Sequence, residues 1–203
     1  MISGVLSLYP KFGKETYTET KTKENYRHLP AVTEDGLDIY ITITEDMYNK
    51  YIEDIMFNDW KNTNKFIVWG ELRSTNETTT NMQLTNLYMR VDFMIPDDKD
   101  TNFNLFSLNS HGTKTKREDI DDLHNYFYIA ANKNILNTKE KRNKPSYSYL
   151  KTNKRVQYKD KDIIQGSVKL VKNDGILMLE AIHTVGFSSC RKLVNAFLIK
   201  EAV

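Results

Sequence analysis

A chain of 203 residues with 39% hydrophobic and 28% charged residues is long enough for one well-filled core and has the balance of a globular protein, not a disordered one. No apolar run approaches the ~20 residues of a membrane helix, and the apolar residues 1–10 lack the basic start of a secretory leader, so a soluble cytoplasmic protein is expected. Cys190 is the single cysteine, so no internal disulfide can form, in keeping with a reducing compartment.

The formal charge of +2 hides a strong asymmetry. Residues 34–59 hold Glu34, Asp35, Asp38, Glu45, Asp46, Glu53, Asp54 and Asp59 against Lys50, a net of −7. Residues 133–161 hold ten bases against Glu140 and Asp160, a net of +8. Such blocks bear on partners more than the average does, although they also serve as solvated faces or answer each other within a fold. Abundant Lys, Asn, Ile and Tyr with few Gly and Pro match the output of an AT-rich genome, as in many phages and viruses.

Residues 11–30 are polar and without sustained periodicity, so residues 1–30 are expected to form an N-terminal arm ahead of a single α+β domain over 31–203. Leu37, Ile39, Ile41 and Ile43 alternate on one face of a strand. Thr44 then offers an N-cap, Glu45 and Asp46 suit the first turn of a helix, and Met47, Tyr48, Tyr51, Ile52 and Ile55 continue at helical spacing over 45–60. Residues 65–73 and 84–95 predict two strands paired as a hairpin, the second with Leu87, Met89, Val91, Phe93 and Ile95 on one face. A short strand over 103–108 follows. Thr115-Lys116-Arg117-Glu118 has the spacing of a capping box, and Ile120, Leu123, Phe127 and Ala131 extend it into a helix over 116–132. Residues 163–172 and 176–187 predict a hairpin turning at Asn173-Asp174-Gly175. Residues 189–199 fit either a helix, through Leu193, Val194, Phe197 and Leu198, or a strand, through the alternation of Val194, Ala196 and Leu198, and the strand is favoured because such a sheet usually needs another partner. No internal repeat is visible. The fold class this predicts is α+β: an antiparallel sheet with two or three helices, compatible with closure into a small barrel of the oligonucleotide-binding (OB) type.

Tests for chemistry fail. There is no Gly-x-Gly-x-x-Gly and no phosphate loop. Asp98-Lys99-Asp100 begins like a calcium loop, but Phe103 stands where the turn glycine belongs and Asn109 where the bidentate Glu belongs. Glu180 and His183 have a metal-site spacing that needs a helix and a second copy, and they fall in a strand without one. Neither His183 nor Cys190 has a second ligand or base at a recognisable spacing, so no catalytic residue, metal or cofactor is implied and a non-enzymatic protein is expected.

One stretch combines two ingredients. Lys141, Arg142, Lys144, Lys151, Lys154 and Arg155 can neutralise phosphates, and Tyr147, Tyr149 and Tyr158 lie among them. Tyr147 and Tyr149 have the i, i+2 spacing that shares one face of an extended segment. Aromatic platforms beside a basic track suit unpaired bases, which points to single-stranded nucleic acid as the partner. The alternative is a protein-binding module, such as a virion component or an inhibitor of a host factor, docking a basic partner on the acidic face of residues 34–59.

Overall fold

The computed structural model describes residues 1–19, 25–57, 64–74, 87–114, 124–130, 147–153, 155, 156, 158, 159, 162–173 and 175–187. Among these residues, eleven strands and one helix follow in the order β1 (Ile2–Pro10), β2 (Thr16–Glu19), β3 (Asn25–Thr33), β4 (Asp38–Thr44), α1 (Glu45–Phe57), β5 (Phe66–Ser74), β6 (Leu87–Pro96), β7 (Asn104–Lys114), β8 (His124–Ala130), β9 (Tyr147–Asn153), β10 (Ile163–Asn173) and β11 (Ile176–Phe187).

Several of these elements follow from local sequence. Ile39, Ile41 and Ile43 of β4 are buried, as is Leu37 just ahead of it. The Met47 N–H donates to Thr44 Oγ1 at 3.3 Å, so Thr44 caps α1 as its position suggested. Strands β5 and β6 form the expected antiparallel hairpin. Strands β10 and β11 form the other, with Asn173 opposite Ile176 and Gly175 at φ 79° in the turn.

The chain is mostly sheet, with α1 its one helix among the described residues. The helix expected over 116–132 is contradicted where the structure describes it, because residues 124–130 are strand β8, paired antiparallel with β9. The Phe127 and Ile129 side chains are buried, so the apolar positions there follow period 2. Residues 115–123 lie outside the described residues, as do the segment 189–199 and the end of the expected first helix at 58–60. No helix among the described residues is long and apolar enough to cross a membrane.

Residues 1–30 are not an arm, for β1, β2 and the start of β3 belong to the sheet. Strand β1 runs antiparallel between β5 and β7, burying Ile2, Leu6 and Leu8. At the remaining inward position, Gly4 faces Phe106. A Cβ there would lie 2.6 Å from Phe106 Cα and closer still to the Leu105 carbonyl, so the two strands meet at this spacing only because residue 4 is glycine.

The strand order is β10-β11-β9-β8-β7-β1-β5-β6-β4-β3-β2, with further pairings β10–β7 and β1–β3. Those two pairings close two five-strand rings. The first joins β1-β3-β4-β6-β5 and the second β7-β8-β9-β11-β10. In each ring the first, second and third strands run as a meander, the fourth and fifth form a hairpin, and the third and fifth are parallel. This is the Greek-key closure of the OB barrel. The sequence suggested one such barrel within a single domain; the pairings build two, joined in one continuous sheet through β1 and β7.

The halves correspond position by position. Each fourth–fifth hairpin carries a one-residue bulge, between Trp69/Gly70 in β5–β6 and between Ser167/Val168 in β10–β11. The bulge in the first explains a departure from simple alternation. Leu87, Met89 and Val91 face inward as expected, but the extra residue Asp92 flips the strand, so Met94 is buried and Phe93 is 53% exposed.

Candidate nucleic-acid interface

Strands β8 and β9 are the second and third strands of the second barrel. Along β9, Ser148, Leu150 and Thr152 are buried, while Tyr149 and Lys151 between them are half-buried and Asn153 is exposed. Tyr147 begins the strand two residues before Tyr149. Across the ladder, Tyr149 lies opposite Tyr128 and Lys151 opposite Tyr126. The Tyr126 hydroxyl accepts a hydrogen bond from Asn173 Nδ2 at 3.1 Å, which ties this face to the β10–β11 turn. Tyr126 is buried at 5% exposure, which leaves half-buried Tyr149 as the tyrosine beside Lys151 on this face.

The other sequence-predicted residues divide. Lys141, Arg142, Lys144 and Lys154 lie outside the described residues, the first three within the connection from β8 to β9. Arg155 is exposed, its backbone N–H donating to Asn153 Oδ1 at 3.0 Å. Lys151 Nζ stands 3.8 Å from Glu180 Oε1, a carboxylate that also receives Lys169 at 2.9 Å. Part of its charge is therefore answered within the fold.

Tyr158 is a correction. It is only 9% exposed, its ring packs 5.0 Å from that of Phe127, and its hydroxyl bonds to Thr184 Oγ1. Burial pushes its phenol up, and the Thr184 bond offsets this in part. A ring spent on the barrel interior is no platform for a base.

The first barrel offers the matching face on β3 and β4. Ile41 lies opposite Met89 of β6, and Leu150 lies opposite Leu179 of β11, the corresponding strand. Tyr40 therefore matches Tyr149, and Thr42 matches Lys151. His28, opposite Thr42, is held below the usual imidazole range by burial, with Nδ1 2.8 Å from Thr42 Oγ1. This face carries Tyr40, and Tyr26 opposite Thr44, but has Thr42 in place of the lysine.

Three acids of the acidic segment, Glu34, Asp38 and Glu45, have cationic partners within the protein. Lys65 Nζ lies 2.8 Å from Glu34 Oε2, 2.8 Å from Asp100 Oδ1 and 3.8 Å from Asp97 Oδ2. The hydrogen bond from Lys65, then that from Tyr9 at 2.7 Å, holds the Glu34 carboxyl below the usual range. Arg27 Nε donates to Glu45 Oε1 at 3.0 Å, and Lys11 lies 3.7 Å from Asp38. Among the described residues, no group of three His, Cys, Asp or Glu is placed to hold a metal ion.

Sequence reasoning missed an aromatic pair. Trp69 and Phe93 sit opposite each other on β5 and β6, their rings 5.7 Å apart, and Trp69 is 37% exposed. The signal was the Trp69-Gly70 step, since a glycine inside a strand pattern marks a bulge or a close backbone approach.

No protein family and no curated protein matches the chain. Among solved structures it is similar to the wild-type single-stranded DNA binding protein from Thermus aquaticus, with a TM-score of 0.58 at 12% identity over 92% of this chain and 93% of that one. A deletion mutant of that protein gives a TM-score of 0.56 at 12% identity, over 92% and 95%. At this identity the likeness is one of fold, and it agrees with the OB closure read from the strand order.

Proposed function

We propose that this chain is a non-enzymatic protein that binds single-stranded nucleic acid across the β8–β9 face of its second barrel. The β3–β4 face of the first barrel would provide a second, weaker contact. The observation that carries this reading is the placement of Tyr149 and Lys151. Tyr147, Tyr149 and Lys151 of the aromatic-basic segment belong to the third strand of an OB barrel, and the face of strands two and three is where such barrels take oligonucleotides. Phosphate neutralisation by Lys141, Arg142, Lys144, Lys151, Lys154 and Arg155 supplies affinity, and Tyr147 and Tyr149 stack on unpaired bases. The fold of the Thermus protein supports the reading by analogy only. The acidic alternative is less favoured because Glu34, Asp38 and Glu45 already have cationic partners within the chain.

The test is fluorescence anisotropy with a labelled ~30-nucleotide oligomer and its duplex at two salt concentrations. Tighter binding of the single strand, with affinity falling steeply as salt rises, is expected. No binding at low salt, where electrostatic contacts are strongest, would reject the proposal.

A further inference from the structure

The barrels match in backbone but not in charge. In the second barrel a row of directly opposed residues crosses strands three, five and four, with Lys151 of β9 facing Glu180 of β11 and Glu180 facing Lys169 of β10. The matching row of the first barrel runs through Thr42 of β4, Arg90 of β6 and Glu71 of β5. Directly opposed residues of a sheet share a face, so the sign of the charge is inverted on strands four and five. Strand five borders strand three in both rings. The inversion therefore puts a carboxylate beside the β8–β9 face and a guanidinium beside the β3–β4 face.

Glu180 stands between its two lysines, Oε1 3.8 Å from Lys151 Nζ and Oε2 2.9 Å from Lys169 Nζ. The longer contact exceeds hydrogen-bond distance, so Lys151 is held by charge alone. The non-bridging oxygens of a phosphodiester could meet the same two ammonium groups. The fold does not demand a carboxylate here, because the first barrel closes in the same way with Arg90 at that position. A pair as open as Lys169 with Glu180, the lysine side chain 47% exposed, also contributes little to stability. In the first barrel the carboxylate is taken up elsewhere. Glu71 Oε2 accepts from Arg73 Nε at 3.1 Å and from Arg73 Nη2 at 2.8 Å. Arg90 is half-buried and makes no ion pair among the described residues. It lies opposite Thr42, one step along from the facing pair Tyr40 and Tyr88.

We propose, resting on the single-strand reading above, that the strand-five residue sets how each barrel meets phosphate. Glu180 is an internal competitor that a phosphate of the bound strand must displace from Lys151 and Lys169. Arg90 is itself a phosphate contact, extending the first barrel's face onto β6. With Glu180 in place the two lysines offer a phosphate a net of one positive charge, and without it they offer both. Affinity and counterion release follow the cations available.

Fluorescence anisotropy of the full chain with a labelled ~30-nucleotide oligothymidylate over a range of salt concentrations tests both assignments. Glu180→Gln keeps the shape of the side chain and removes its charge. It is expected to tighten binding about fivefold at low salt and to steepen the salt slope by about one unit. Arg90→Gln is expected to weaken binding by about the same factor and to flatten the slope by about one unit. Glu53→Gln makes the same change in net charge as Glu180→Gln on an exposed position of α1, and is expected to shift affinity less than about twofold. Circular dichroism establishes that each variant is folded. A folded Glu180→Gln protein that binds no tighter overturns the proposal, and so does a folded Arg90→Gln protein that binds no more weakly. Equal tightening by Glu53→Gln overturns it as well, since net charge alone would then account for the gain. Wild type that binds no oligomer rejects the single-strand reading and this proposal together, whereas wild type that binds and is matched by its variants overturns this proposal alone.

Discussion

The Tyr158 hydroxyl meets Thr184 of β11 where, in the other barrel, the Tyr51 hydroxyl accepts the Met94 N–H of β6 at 2.8 Å. Each barrel is thus plugged by a tyrosine from the connection between its third and fourth strands. In the first barrel that connection is α1; in the second it is the short segment before β10. Tyr158→Ala is expected to cost about 3–5 kcal/mol, the usual range for deleting a buried aromatic ring, read from urea denaturation. Oligonucleotide affinity measured well below the melting temperature should stay unchanged. An affinity loss in still-folded protein would restore Tyr158 to the binding face.

Asn104 grips the main chain of Leu170 from both sides, its Nδ2 donating to the carbonyl at 2.9 Å and its Oδ1 accepting the N–H at 2.8 Å. Because Asn104 also lies opposite Leu6 of β1, it sits where the barrels join. Asn104→Ala removes both bonds and is expected to destabilise by about 1–3 kcal/mol. The corresponding shift is about 2–4 °C in Tm per kcal/mol for a chain of this size, measured by thermal unfolding.

Lys65 gathers Glu34, Asp97 and Asp100 around one ammonium, and two of them sit in the segment linking β6 to β7. Burial would raise the Asp97 carboxyl, but hydrogen bonds from Thr101 and Lys99 and the Lys65 charge together hold it below its ordinary value. Glu34 is held low as well. Groups with depressed folded pKa values contribute stability that is complete above their unfolded values. It is lost as pH falls through the folded ones, here below about 4. Lys65→Met should therefore lower stability at neutral pH and flatten its decline in acid. Urea midpoints from pH 7 to pH 3 give the check, and an unchanged acid slope would show that the network contributes nothing.

Much of the first barrel was legible because its elements are decided locally. The alternation of Ile39, Ile41 and Ile43 and the cap at Thr44 need no distant partner. Strand β8 misled because the spacing of Leu123, Phe127 and Ala131 behind a capping box imitates a helix. What makes 124–130 a strand is pairing with β9, which lies beyond a long connection. The duplication was invisible for a similar reason. The barrels share registers and bulge positions, yet Trp69 in one matches Ser167 in the other, and Tyr51 of α1 in one matches Tyr158 in the other. Backbone pairing constrains topology while leaving outward side chains free to differ, so no repeat survives in the residues. The tyrosine-lysine segment was found because composition marks it. That Tyr158 turns inward depends on Phe127 and Thr184, far away in sequence.

The proposed binding face makes a prediction that separates its two ingredients. Charge acts through counterion release, so reversing Lys141 and Arg142 to Glu should reduce the salt slope for single strands by about one to two units. Stacking releases no counterions, so Tyr149→Ala should weaken binding while leaving that slope nearly unchanged. The expected loss is ~1–3 kcal/mol per base unstacked, or ~5- to 150-fold in Kd. Tyr40 supplies an internal comparison, because it holds the matching position in the first barrel with Thr42 in place of Lys151. Tyr40→Ala should cost less than Tyr149→Ala if the second barrel dominates. Anisotropy titrations of the three variants at two salt concentrations read slope and affinity separately. If Tyr149→Ala lowers the slope as much as the charge reversal does, its ring is positioning the basic connection instead of stacking on a base. If Tyr40→Ala costs more, the principal contact lies on the β3–β4 face.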